Sequence, residues 1–211
     1  MCIRDRLGDK LIVLSCSTGS TYSAYLAAND SGIDAQIMTS PNFDLADPNA
    51  KLLTKPWGKQ MLRKIVGGDY RSWTAPEEAK PYWNEKYRIE GLIAMRALLD
   101  QTMTEEVWQQ NKVPVFIGYY HKNAEETDKI ISVEAIHAYE KAISTPIDMV
   151  TITPFSNAKG HVISSLYMNP NWQSVQDSIF AFAEDVLNMQ PLSLIHISEP
   201  TRRYAISYAV F

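Results

Sequence analysis

The chain has 211 residues, of which 45% are apolar and 21% charged, enough for one domain with a sizeable core. Its formal net charge of −4 is mild, and with no basic stripe it does not point to a nucleic-acid partner. No uninterrupted apolar run approaches the ~20 residues that span a bilayer, so no membrane span is expected.

The first and last segments are expected to stand apart from the rest. Met1-Cys2-Ile3-Arg4-Asp5-Arg6 can be encoded ATG TGT ATA AGA GAC AGN. The reverse complement, read one base on, is CTG TCT CTT ATA CAC ATN, which translates as Leu-Ser-Leu-Ile-His-Ile, the residues at 192–197. The pair resembles the inverted transposon ends ligated to DNA in sequencing libraries. Residues 1–6 and 192–211 are therefore read as adapter-derived and left out of fold reasoning. On this reading 7–191 is an N-terminally truncated piece of a longer gene product, and Cys16 is its one genuine cysteine. A disulfide framework is excluded. Any signal peptide would lie upstream, which leaves localisation unread.

In chain order, residues 10–15 (KLIVLS) form a short apolar run, as expected of a parallel strand covered on both faces. The run breaks into Ser15-Cys16-Ser17-Thr18-Gly19-Ser20, and residues 21–29 then read as a helix. A second strand at 34–40 is closed by Pro41-Asn42. From 51 to 110 the character changes, with Trp57, Trp73, Trp83 and Trp108 supplying four of the five tryptophans. Helical patterns at 60–66, 87–99 and 105–110 are separated by the loop-rich VGGDYRSWTAPEEAKPYW. Such an insertion far exceeds an ordinary βα connection of ~2–6 residues. It is either a layer that covers the sheet or a cap whose aromatic side chains line an apolar pocket, and the cap is the expectation. A third strand follows at 113–120. The helix at 132–143 places Val133, Ile136, Tyr139 and Ile143 on one stripe, and a strand at 149–155 and an amphipathic helix at 175–187 close the pattern. Alternation of this kind predicts an α/β fold with a mostly parallel sheet.

Leu14-Ser15-Cys16-Ser17-Thr18-Gly19-Ser20 resembles the nucleophile elbow of the α/β-hydrolase family, written G-x-S-x-G, with Ser15 in place of the first glycine. The turn needs small residues around the nucleophile, and Ser15, Gly19 and Ser20 are all small. In this family the acid follows the nucleophile and the histidine comes last. Among the histidines, His137 lies inside a helix and His121 at a strand end. His161 falls in NAKGHVISS after the last strand, where Gly160-His161-Val162-Ile163 resembles the family's Gly-His segment. The loop after the strand at 113–120 offers Glu125, Glu126 and Asp128. The family pattern selects Asp128, which runs into Lys129-Ile130-Ile131-Ser132, with Glu126 as the alternative.

The resemblance implies the C-terminal part of an α/β-hydrolase fold, with core segments at 7–50 and 111–191 around a helical cap at 51–110. It is similar to the monoacylglycerol-lipase and serine-aminopeptidase-like branches. It implies Ser17 as nucleophile, His161 as general base, Asp128 as its orienter and the Thr18 N–H as one oxyanion donor. Trp57, Trp73, Trp83 and Trp108 are the expected substrate-binding residues, and the expected partner is a small-molecule acyl substrate. The second oxyanion donor of the family comes from a loop upstream of the elbow, so low turnover of this chain alone is expected. The elbow strand is also expected at the sheet edge, because its other neighbours would precede residue 7. Nothing resembles a dinucleotide fingerprint, a P-loop or a metal-ligand cluster, so neither a cofactor nor a metal is expected. Two readings compete: a catalytically silent binding protein of the same fold, and an enzyme that uses Cys16.

Overall fold

A computed structural model describes residues 10–29 and 32–190; the readings made of 1–6 and 192–211 lie outside them. Four parallel strands form the central sheet: β1 (Ile12–Cys16), β2 (Ala35–Thr39), β5 (Val115–Tyr120) and β6 (Val150–Phe155), in the spatial order β1-β2-β5-β6. The two other strands, β3 (Tyr70–Ser72) and β4 (Lys86–Arg88), form a separate antiparallel hairpin. Helices α1 (Thr18–Asn29) and α5 (Val133–Ala142) flank one face of the sheet, and α6 (Trp172–Asp185) the other.

The period of two in a strand explains how the sheet feeds both layers. Val115, Ile117 and Tyr119 of β5 join Met38, Ala24, Ile136 and Tyr139 on one face. Phe116 of the same strand joins Ile37, Ile163, Val175 and Phe182 on the other. Covered on both faces, β2 and nearly all of β5 are buried, which is why they read as continuous apolar runs. Among the described residues β1 is an edge strand, and its Leu14 is 68% exposed.

Four polar side chains inside this core are linked in a chain. Gln36 donates to Ser23 Oγ at 2.7 Å and accepts from Asn111 Nδ2 at 2.6 Å, and Asn111 also donates to the Tyr139 hydroxyl. Burial pushes the Tyr139 phenol well above its ordinary range, so it stays neutral.

Gly118 of β5 marks the tightest packing beneath the loop that carries His161. A Cβ there would lie 2.9 Å from the Phe155 ring, 3.2 Å from the Phe116 ring and 3.4 Å from Ile163 Cδ1. Rigid ring edges cannot yield cheaply, so Gly118→Ala should cost about 1–3 kcal/mol of stability, measured by urea unfolding. An unchanged midpoint would mean that both rings have room to retreat.

Between β2 and β5 lie a 3₁₀ turn (Pro48–Leu52), α2 (Gly58–Val66), the hairpin, a second 3₁₀ turn (Glu77–Tyr82), α3 (Ile89–Thr102) and α4 (Glu105–Trp108). The sequence patterns locate the three helices, but Tyr87 and Arg88 belong to β4 and the helix begins at Ile89. The first strand of the hairpin falls in the stretch read as loop, and the second overlaps the start of the helix read at 87–99. Both strands have three residues and are almost wholly exposed, so no hydrophobic alternation announces them. Tyr70 instead receives Lys86 Nζ over its ring at 4.7 Å and the Arg88 guanidinium at 5.6 Å. Arg96, only 4% exposed, anchors α3 by donating to Asp44 and Asp100. Partial burial works to raise the pKa of both carboxylates, but the Arg96 hydrogen bonds prevail and hold both below the ordinary range.

Candidate active site

Ser17 occupies the single residue between β1 and α1, with φ +53°. That left-handed conformation costs a residue with a Cβ about 1–2 kcal/mol, and it is held from both sides. Ser17 N–H donates to the Thr39 carbonyl at 3.1 Å, while its own carbonyl accepts from Ser20 N–H at 2.9 Å and Asn42 N–H at 3.1 Å. Ser15 fits where the family motif has glycine: its hydroxyl lies 3.1 Å from that of buried Ser20. A Cβ on Gly19 would sit 3.8 Å from Ser15 Cβ, an ordinary contact. Cys16 ends β1, and burial pushes its thiol up, away from the thiolate that chemistry would need.

His161 reaches Ser17 from the loop after β6. Its Nε2 lies 2.7 Å from Ser17 Oγ and its Nδ1 lies 2.7 Å from Asp128 Oδ2. The other oxygen of Asp128 accepts Ile130 N–H at 2.9 Å and Ile131 N–H at 3.3 Å. A carboxylate only accepts. The proton therefore sits on Nδ1, and Nε2 presents its lone pair to the Ser17 hydroxyl. The Asp128 side chain is fully buried and that of His161 is 11% exposed.

The loop after β5 explains why Asp128 meets His161 and its acidic neighbours do not. Asp128 N–H returns to the Tyr120 carbonyl at 3.0 Å, and His121 bridges Thr127 across the loop base. Residues 122–126 form the solvated tip, where Asn123 Oδ1 accepts the N–H groups of Glu125 and Glu126. Glu126 is taken by Lys122 at 2.6 Å, and that hydrogen bond lowers its pKa. His137 lies on α5, half-exposed beside Glu140.

Thr18 is the first residue of α1, so its N–H is among the donors that a helix leaves without an intrahelical partner. Its side chain meets Met95 Sδ of α3 at 3.5 Å and Asn42 Nδ2 at 3.3 Å. Contact of the insertion with the elbow through Met95 has no signal in the sequence.

The tryptophans are scattered. Trp57 is 72% exposed ahead of α2. Trp73 donates its indole N–H to the Asn84 carbonyl at 2.9 Å across the hairpin, and Trp83 sits half-buried after the second 3₁₀ turn. Trp108 packs edge-on to Tyr139, 5.7 Å between centroids, and 6.2 Å from Phe43. α4 lays this ring on the α5 side of the core. A cleft of about 430 Å³ beside His161 and Asp128 is lined by Tyr120, Glu125, Glu126, Thr127, Lys129, Ile130 and Gly160.

The fold recurs in solved structures. A monoacylglycerol lipase from Paleococcus ferrophilus superposes with a TM-score of 0.60 at 16% identity, over 84% of this chain and 69% of that one. A metagenome-derived lipolytic enzyme gives 0.58 at 12% identity, over 84% and 66%. A soluble variant of monoglyceride lipase from Saccharomyces cerevisiae gives 0.55 at 15%, over 82% and 64%. The chain thus has the α/β-hydrolase fold, and it spans about two thirds of the length of these lipases. No protein-family model and no curated protein sequence matches it.

Proposed function

We propose that the chain is a serine hydrolase that cleaves a carboxylic ester or related acyl bond through Ser17, His161 and Asp128. The observation that carries this reading is the unbroken relay from Ser17 Oγ through His161 to buried Asp128, with both links at 2.7 Å. Ser17 Oγ attacks the acyl carbon while His161 Nε2 takes its proton. The oxyanion that forms faces the Thr18 N–H at the head of α1. His161 then delivers the proton to the departing alcohol. In the second half it draws a proton from water, which attacks the acyl-enzyme, and passes that proton to Ser17 Oγ as the acid departs. Asp128 holds the imidazole in the required tautomer and steadies its positive charge.

Residues 51–110 act as the cap in this reading, touching the elbow through Met95, with Trp57, Trp73, Trp83 and Trp108 as its aromatic contribution to an apolar substrate. The lipase-like fold neighbours support a small-molecule ester. No helix among the described residues is long and apolar enough to cross a membrane.

A fluorophosphonate probe tests the proposal in a single turnover. The 211-residue chain should take up one equivalent, and peptide mapping should place the adduct on Ser17. Iodoacetamide pretreatment should leave uptake unchanged, because Cys16 is half-buried and desolvation pushes its thiol up, away from the reactive thiolate. No adduct would leave a binding protein of hydrolase fold, and an adduct on Cys16 would move the nucleophile.

A further inference from the structure

We propose that Ser40 is a positioning residue that sets the distance between the histidine loop and the elbow. The proposal rests on the serine-hydrolase reading for its catalytic consequence, but its geometry stands apart from it. His161 lies in a stretch, 156–171, without helix or strand, so something other than regular structure must hold its main chain within reach of Ser17. Its carbonyl accepts from Ile163 N–H at 3.1 Å, inside the same loop, and from the Ser40 hydroxyl. The Ser40 bond alone of these two ties His161 to the elbow side. The path is short. Ser40 follows Thr39, whose carbonyl accepts from Ser17 N–H at 3.1 Å, and it precedes Asn42, whose N–H donates to the Ser17 carbonyl at 3.1 Å. Two hydrogen bonds therefore join the main chain of the base to that of the nucleophile. A longer contact, Thr39 Oγ1 to Ser164 Oγ at 3.4 Å, runs beside them.

The backbone of Ser40 marks the side chain as the reason for this residue. It is fully buried, follows β2 directly and has φ +46°. Glycine adopts that conformation without the Cβ penalty. A serine here accepts strain that glycine would avoid, and what it supplies in return is a hydroxyl aimed at the His161 carbonyl. Ser17 and Ser40 are thus two strained serines, each following the end of a neighbouring strand and linked through Thr39. One carries the nucleophilic oxygen, and the other tethers the base.

Ser40→Ala and Ser40→Gly test this together, since both delete the hydroxyl while only glycine relieves the backbone. Three quantities are measured on the 211-residue chain: thermal midpoint, fluorophosphonate labelling rate, and the downfield proton resonance of His161 Nδ1–H, which reports the bond to Asp128. Both variants should label about tenfold more slowly, the effect of losing one modest hydrogen bond at the reacting geometry. Both should broaden or shift the downfield resonance, and Ser40→Gly should melt above Ser40→Ala. A glycine variant that labels at the parental rate with an unmoved resonance would overturn the proposal, because Ser40 would then serve the backbone alone. If the parent itself takes no label, the hydrolase reading fails, and the resonance in the two variants still decides the role of Ser40.

Discussion

Replacing Asp128 by asparagine should slow phosphonylation of Ser17 by about 10⁴-fold while leaving the fold in place, the size of loss seen when a serine-protease triad is trapped in the wrong tautomer. The direction follows from which oxygen is already committed. Oδ1 accepts the N–H groups of Ile130 and Ile131, at 2.9 and 3.3 Å. An asparagine carbonyl must therefore keep that position, which turns its NH₂ toward His161 Nδ1. Facing a donor, Nδ1 becomes the acceptor and the ring proton moves to Nε2, where it cannot receive the proton of Ser17. The same two backbone bonds persist, so the loop should hold and the melting temperature should barely change. A loss of less than tenfold would reduce Asp128 to a residue that merely caps its loop.

Removing the Ser17 hydroxyl should abolish labelling entirely, and the two simplest replacements should differ in stability in an unusual order. Ser17→Ala keeps a Cβ at φ +53°, whereas Ser17→Gly relieves it. The left-handed penalty of about 1–2 kcal/mol exceeds the roughly 0.4–1 kcal/mol that glycine loses through its freer unfolded chain. The glycine variant should therefore unfold at higher urea than the alanine variant, by about 0.5–1 kcal/mol, the reverse of the order in a helix. Neither should take up the probe. Equal stabilities would mean that the turn relaxes once the hydroxyl is gone, and residual labelling would put the nucleophile elsewhere.

The parts of the fold that were legible in the sequence are those where burial imposes a period. β2 and β5 are continuous apolar runs because both of their faces are covered, and α5 shows its stripe because Ile136 and Tyr139 reach the core. Helix α1 begins three residues earlier than its apolar pattern, because Thr18-Gly19-Ser20 is helical for the sake of the elbow and carries no hydrophobic signal. The β3–β4 hairpin was invisible for a related reason, since its short strands are almost wholly exposed and Tyr70 packs under cations rather than into the core. Within the candidate site, Ser17, Asp128 and His161 could be picked out because chemistry restricts their types and the resemblance fixes their order. Ser40 and Asn42 could not. They act on main-chain carbonyls or through their own N–H, and such contacts leave no imprint on residue type that a single sequence can reveal.

The order of the sheet has a consequence in time. Ser17 follows β1, Asp128 follows β5 and His161 follows β6, and in a parallel sheet each successive strand arrives only after a crossover. No local segment contains two of the three residues, so neither a nascent hairpin nor a lone helix can bring any pair together. Contacts this distant along the chain form late and slowly. A folding intermediate with β1–β2 and β5–β6 each paired but β2 and β5 not yet joined would hold the strained serine apart from the carboxylate and the imidazole. Such a molecule could have most of its native helix signal and still be inert toward the probe. The reactivity of Ser17 therefore acts as a clock for the joining of β2 to β5 across the insertion.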